Sequence, residues 1–585
     1  MSHNGVKVLS KWTPDPGDIN IAREMPPSES LATSLPLEML LLLWILAAQV
    51  FGTLALGKYC TSSDPCWPSS HLWATLNASV NGNLIAARPP AAPCHPTDPL
   101  FNAATCATVN ASWTSMFFRV DQPGATQDTY WENGNSSCYI DFQLSNPCEQ
   151  GLVPTIVLDA HSVAHVQQGV NFARTHRLRL RIKASGHDFV GRASGEGAFL
   201  IWTRNLRSLA LVSDFRPAGT PVGVRAVRVI KSGPGDGWQN VYELANRSDV
   251  TVVGGTGQTV SSAGGYLMGG GHSLLGRHYG LAVDMTDNLK DVLQFTLSLR
   301  GGGGGTFGVV TEVIHTIHPP FHNILGVTLN VAAPSSTVLA SILQVFLNIQ
   351  PALDDDSWWL TTAVQQTSLF IQAALFTPSL GANFTQLSHQ AFGPVISAAQ
   401  KFNISPVFTV QAYPNFLAVH DAFFAPESQP FGVPSVLASR LMPRHVFENS
   451  SATAILAQVS TQPSAVIFNL LAGGAVAKVP ADATSVNPGW RKALHLVIFA
   501  SGWTSSTPLA IRDELRQTLT AQTSLFEPFS EGLGAYLNEA DQNDPDWPQS
   551  FWGDNYERLL EMKKKIDPLG VFECPKCVGS EVFGF

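Results

Sequence analysis

The sequence predicts a chain of mixed strands and helices in two or three lobes, and three observations carry that reading. A strand–helix–strand unit opens at 153. Three glycine clusters interrupt strand-like runs between 185 and 308, and residues 321–530 alternate apolar strands with helical patterns. At 585 residues the chain is long enough for more than one core. It is 45% hydrophobic and only 14% charged, which excludes a disordered or coiled-coil protein. Its 35 Lys+Arg against 44 Asp+Glu leave a net charge of −9, so no basic field favours a nucleic-acid partner.

Residues 1–58 read as a leader. Residues 39–57 are uncharged and apolar apart from Gln49, long enough to span a bilayer, and Ala55 and Gly57 form a small-x-small cleavage pattern before Lys58. The stretch before them lacks the positive charge of a secretory n-region, since Lys7, Lys11 and Arg23 are outnumbered by Asp15, Asp18, Glu24, Glu29 and Glu38. A cleaved signal with a true start at Met39, a retained membrane anchor and a buried helix are the three readings. Export is the expected route, with a membrane partner only if residues 39–57 stay as an anchor.

Residues 59–148 hold six of the eight cysteines: Cys60, Cys66, Cys94, Cys106, Cys138 and Cys148. An even cluster behind a signal points to disulfides stapling a loop-rich segment. No histidines stand at zinc-ligand spacing among them, so no metal site is expected. Cys574 and Cys577 form a lone CxxC, read as a local disulfide. Seven Asn-x-Ser/Thr sequons, at Asn77, Asn110, Asn135, Asn246, Asn383, Asn403 and Asn449, agree with a lumenal or extracellular setting.

From 152 the texture changes. Residues 153–158 read as a buried strand, and Val163, Val166, Val170 and Ala173 recur at helical spacing. Residues 178–182 alternate as a half-buried strand running into the turn Ser185-Gly186-His187-Asp188. Residues 250–257 and 308–317 are strand-like. The other two glycine clusters are Gly264–Ser273, with Gly264, Gly265, Gly269, Gly270, Gly271 and His272, and the five-glycine run after Arg300. Glycine lets backbone N–H groups approach a ligand and form an anion nest, which suits a pyrophosphate. A P-loop is excluded because no Gly-Lys-Ser/Thr follows, and GxGxxG is not met. Singly, each cluster is equally a tight turn. A histidine on such a turn is ordinarily a hydrogen-bonded structural residue. At a phosphate-lined turn, neutral His187 is also a candidate nucleophile toward an electrophilic cofactor carbon, with His272 the weaker second.

These motifs, with Tyr279-Gly280 and Thr306-Phe-Gly-Val-Val310, resemble the FAD-binding domain of the vanillyl-alcohol-oxidase-like, PCMH-type flavoproteins. Tyr536-Leu-Asn-Glu539, Trp547, Phe551-Trp-Gly553, Asn555-Tyr556 and Asp567-Pro568 resemble the terminal module of the berberine-bridge family, in its fungal secreted branch. The resemblance implies an α+β, two-lobe fold, with a PCMH-type FAD-binding domain at 149–320 and a substrate domain at 321–530 of antiparallel sheet covered by helices. A C-terminal module at 531–585 would return to the FAD lobe. It implies FAD linked covalently through His187. Some relatives add a cysteine link, but here Gly257 stands at that place and no cysteine lies between 148 and 574. Ser185, Gly186, Asp188 and the 264–271 glycines would hold pyrophosphate and isoalloxazine, with Val309 and Val310 near the adenine. Tyr536 and Asn538 would close over the flavin or substrate. Glu539 stands where some relatives carry a tyrosine base, and is read either as the base or as a surface glutamate.

The implied activity is oxidation of a small alcohol, sugar or secondary metabolite by hydride transfer to FAD, with O2 as acceptor, in a monomer. Family members carry a longer stretch than the one between Asp284 and Arg300. That shortness grounds the alternative, a flavin-binding protein without turnover, degenerate or lacking part of the flavin lobe.

Overall fold

The computed structural model describes residues 6–8, 59–216, 225–285, 297–376, 383–425 and 431–583. The apolar run 39–57 and residues 286–296 of the short 284–300 stretch lie outside these.

The first lobe holds two sheets. In one, Ile156–Asp159 and Leu180–Lys183 flank Phe199–Trp202 in parallel, and Leu84–Ala86 adds an antiparallel edge. The helix Val163–His176 crosses between the parallel strands. Its Ser162 cap accepts a bond from His165 N–H, and Gly169 lies so close to the sheet that a methyl there would meet Leu158 at 2.6 Å. The second sheet joins Ala210–Phe215, Val227–Ser232 and Val310–His318 antiparallel, with Thr251–Val252 and Val6–Val8 paired to the last strand.

Two sequence expectations change here. Leu180–Lys183 is not half-buried: Arg181 is 3% exposed, and its guanidinium donates to the carbonyls of Ser194, Leu180 and Glu573. Alternation looked amphipathic because arginine was counted as solvent-facing, whereas the C-terminal segment covers it. The strand expected at 250–257 is only two residues long, because at Gly254 the chain turns against Trp238, 2.3 Å from where a methyl would sit.

The second lobe is a seven-stranded antiparallel sheet, in the order Val407–Tyr413, Ile324–Ala332, Ser368–Leu375, Trp359–Gln365, Ala465–Leu470, Ala493–Gly502, Ser435–Pro443. Helices Ser336–Asn348, Phe384–Gln400, Ser450–Ser460 and Leu509–Ser524 belong to this lobe. Their buried residues, Leu343, Phe346, Phe392, Leu456 and Leu519 among them, share a core with Val436, Val466, Phe468, Val497 and Phe499 of the strands. Residues 336–355 are apolar enough to cross a membrane by length and composition, but Leu339, Leu343 and Leu347 are spent on this core.

The Cys-rich segment contains two ten-residue helices, Ser70–Ser79 and Ala103–Ser112, which bury few side chains and so leave little periodic signal. Its disulfides are Cys60–Cys66, Cys94–Cys106 and Cys138–Cys148, and Cys574–Cys577 closes the fourth. His95 lies beside Cys138 and Cys148, but both sulfurs are in the disulfide and both ring nitrogens face carbonyls, of Asn146 and Tyr139 at 2.9 Å. The segment is tied to the first lobe by Lys183, whose ammonium donates to the carbonyls of Gln122, Pro123 and Ala125. It is tied to the second by Asp128, which accepts from Ser435 N and Oγ.

Residues 535–583 return to the first lobe. Trp552 Nε1 donates to Gly301 O at 2.9 Å, and Lys563 Nζ to Thr306 O at 2.7 Å.

Candidate active site

A cavity of about 360 Å³ opens between the lobes. One wall is the turn after Leu180–Lys183. Gly186 has φ +78°, a left-handed conformation that favours glycine, and the turn is pinned when Gln127 N–H donates to its carbonyl. Ser185 Oγ accepts from Ser261 N–H, and the Asp188 carboxylate accepts from Val190 and Ala193 N–H. Asp188 therefore organises the loop, while its burial raises its pKa.

The three glycine clusters converge on this wall. A methyl at Gly264 would approach Ala184 Cβ to 3.3 Å, and one at Gly304 would come within 2.9 Å of Gly265 Cα. Gly264, Gly265, Gly304, Gly305, Gly308, Val309 and Val310 line the cavity. Gly269, Gly270 and Gly271, expected in the same cradle, do not. They make room for packing, with a methyl meeting Asn538 at 2.4 Å, Val486 at 3.2 Å and Tyr266 at 2.7 Å respectively.

His187 stands on the cavity wall, and burial lowers its pKa to about 3 and leaves the imidazole neutral. Its Nε2 lies 2.7 Å from Thr259 Oγ1, and Phe431 meets the ring edge-on at 5.3 Å. Gly257 is on the same wall, and a methyl there would lie 3.8 Å from His187 Cε1 and 2.7 Å from Val260 Cγ2.

Farther round the cavity lies the Tyr536–Glu539 corner. Tyr536 is buried against Trp490 and His272, its N–H donates to Ser439 Oγ, and burial raises its phenol pKa, so it stays protonated. Asn538 Nδ2 donates to Tyr536 Oη at 2.8 Å and to Gly265 O at 3.1 Å. Glu539 is not a surface residue. Its side chain is 17% exposed, Oε1 is 3.3 Å from His272 Nε2, and Oε2 has no hydrogen-bond partner among the described residues. His272 thus belongs with Glu539 rather than with the 185–188 turn.

Sequence reading missed Arg192. It lines the cavity at 7% exposure, and its Nη2 donates to Lys576 O. Its Nε and Nη1 are buried without a partner among the described residues. Burial lowers its pKa only to about 10, so it remains a cation at neutral pH. Asp188 acts on this cation electrostatically, and its two unpartnered nitrogens leave donors over for a further anion. A dinucleotide diphosphate fits those donors in charge, and the cradle fits its need for close backbone approach.

Comparison with known proteins agrees. A profile described as "FAD binding domain" matches residues 154–294, and one described as "Berberine and berberine like" matches 535–579. An uncharacterised FAD-linked oxidoreductase of Arthroderma benhamiae is 34% identical over 562 residues, covering 90% of this chain and 94% of that protein. The chain belongs to the berberine-bridge-like FAD-linked oxidoreductases. Among other members of the family, a VAO-type flavoprotein oxidase of Thermothelomyces thermophilus is 32% identical, covering 89% of this chain and 92% of its own. The crystal structure of the VAO-type flavoprotein MtVAO615 from Myceliophthora thermophila superposes with a TM-score of 0.79 at 28% identity, over 90% of this chain and 98% of that one. The α+β, VAO-type architecture of this FAD-linked oxidoreductase is thereby established.

Proposed function

We propose that this chain is a secreted, monomeric oxidase that holds FAD covalently through His187 alone and passes the electrons of a small substrate to O2. The observation that carries it is one cavity with a neutral histidine on the glycine wall and a carboxylate with a free oxygen at the Tyr536–Glu539 corner. FAD, when bound, supplies the two-electron redox chemistry. Arg192 and the 185–188, 264–265 and 304–305 backbone would hold its diphosphate. Val309 and Val310 would pack on the adenine. With Nε2–H donating to Thr259, the Nδ1 lone pair of His187 is left to form the covalent bond.

Glu539 Oε2 would take the substrate's hydroxyl proton as the carbon–hydrogen bond gives up its hydride. His272, 3.3 Å from Oε1, holds the carboxylate in place on the cavity lining, and Asn538 and the protonated Tyr536 fix the corner from which it would act. Secretion draws support from the sequons: Asn110, Asn135, Asn246, Asn383, Asn403 and Asn449 are exposed, and Asn77 is half-buried.

The test is the absorbance spectrum of protein expressed from Met39. Flavin bands that survive acid precipitation, disappear from the precipitate of His187→Ala, and bleach with substrate while H2O2 accumulates in air are expected. Retained flavin without bleaching by any substrate would instead select the binding protein without turnover.

A further inference from the structure

The second lobe contributes to the cavity through a different chemistry from the first. Side chains alternate faces along a strand, so one face of the seven-stranded sheet meets the helices and the other meets the cavity. Val436, Val466, Phe468, Val497 and Phe499 lie in the helix-side core. Leu437, Ile467 and Ile498 take the opposite face and line the cavity, with Ile467 and Ile498 directly opposed across neighbouring strands. Phe431 extends this roof to His187. Among the described residues, the second lobe sends no polar or charged side chain into the cavity. The polar groups all come from the first lobe and the 536–539 corner. At the 536–539 corner Asn538 already bonds Tyr536, and His272 is engaged with Glu539.

We propose that the substrate is an uncharged, predominantly apolar alcohol, aromatic or polycyclic, bearing its oxidisable hydroxyl at one end, and not a saccharide. This rests on the oxidase reading above. A sugar brings a hydroxyl on nearly every carbon, and each one pressed against Leu437, Ile467, Ile498 or Phe431 would lose its water without a partner. An apolar body instead gains by leaving water on the same surface, while its single hydroxyl meets Glu539. A carboxylate-bearing substrate is disfavoured too, because the corner it must reach already holds Glu539.

The experiment separates binding from turnover. Holoprotein is titrated with an apolar alcohol (1-phenylethanol, 9-fluorenol), with the matching ketone, and with glucose and cellobiose. Flavin spectral perturbation and melting temperature report binding, and anaerobic bleaching reports oxidation. The expected result is perturbation by the alcohols and ketones at concentrations at least tenfold below any saccharide effect. Ile467→Ala and Ile498→Ala should each weaken the apolar ligands about tenfold or more, with the flavin still attached. Ketone binding without bleaching by the alcohols would leave the substrate class standing and overturn the oxidase reading. Tighter saccharide binding, no perturbation by either set, or unchanged apolar affinity in both variants would overturn the class. Bleaching by the saccharide would then keep the oxidase reading.

Discussion

Glu539 and His272 are 267 residues apart in the chain and 3.3 Å apart in space, and their chemistry makes distinct demands. If Glu539 takes the substrate proton, Glu539→Gln lowers kcat by roughly 10²- to 10⁴-fold while flavin content is unchanged, which acid-precipitated absorbance and turnover together measure. His272→Ala should lower kcat less and move the pH–rate profile, since it positions the carboxylate. Arg192, already under the influence of Asp188, keeps two nitrogens without a hydrogen-bond partner among the described residues. In a His187→Ala background, Arg192→Met should weaken FAD binding about tenfold or more, the worth of one charge-assisted hydrogen bond, read by fluorescence titration. The glycine clusters and His187 were legible in the sequence because backbone conformation and close approach must be encoded locally. Arg192 was not: it follows Gly191 like any loop arginine, and only folding shows two of its nitrogens without a partner. At Gly269 and Gly271 the sequence could not tell which neighbour comes close, since a glycine leaves the same trace whether it admits a ligand or a side chain such as Asn538 or Tyr266.

Between elements, the junctions are single polar residues set in apolar surroundings. Asp128 anchors the Cys-rich segment to the strand Ser435–Pro443, and burial pushes its pKa up to about 7 from 3.8. A folded-state pKa raised this way makes its contribution full below about 4 and lost as pH rises through about 7. Stability therefore drops by roughly 2–4 kcal/mol from this group between pH 4 and 8, and Asp128→Asn should flatten that part of the denaturant-midpoint profile. Lys563 ties helix Tyr556–Ile566 to the glycine run through Thr306 O, Phe572 O and Asp567. Lys563→Ala leaves Asp567 buried without its cation and should cost about 3–5 kcal/mol. The strand–helix–strand unit and the long strand at 310 could be read from periodicity. The sheet order could not, because it depends on contacts between strands as distant as Val407–Tyr413 and Ile324–Ala332.

At the level of the molecule, low charge is spread over a large surface, and 14% charged residues leave solubility to other groups. The exposed sequons supply candidates, so endoglycosidase treatment of secreted protein should shift its mobility and lower its solubility, measured as the concentration at which turbidity appears. Two lobes were expected from the family resemblance, since no linker or change of texture near 321 marks a boundary in the sequence. The apolar roof was not, because Ile467 and Ile498 differ from Val466 and Val497 only in the face they take, which register alone decides.

The return of residues 535–583 to the first lobe has a consequence in time. Arg192 is held by Lys576 across 384 residues, Arg181 by Glu573 across 392, and Gly301 by Trp552 across 251. A chain emerging from the ribosome can therefore form the 185–188 turn early, yet it cannot complete the walls of the cavity until residues 535–583 have been made. Cofactor capture would thus wait on that segment rather than on the first lobe alone. A covalent bond formed at that stage would record that the whole chain had folded.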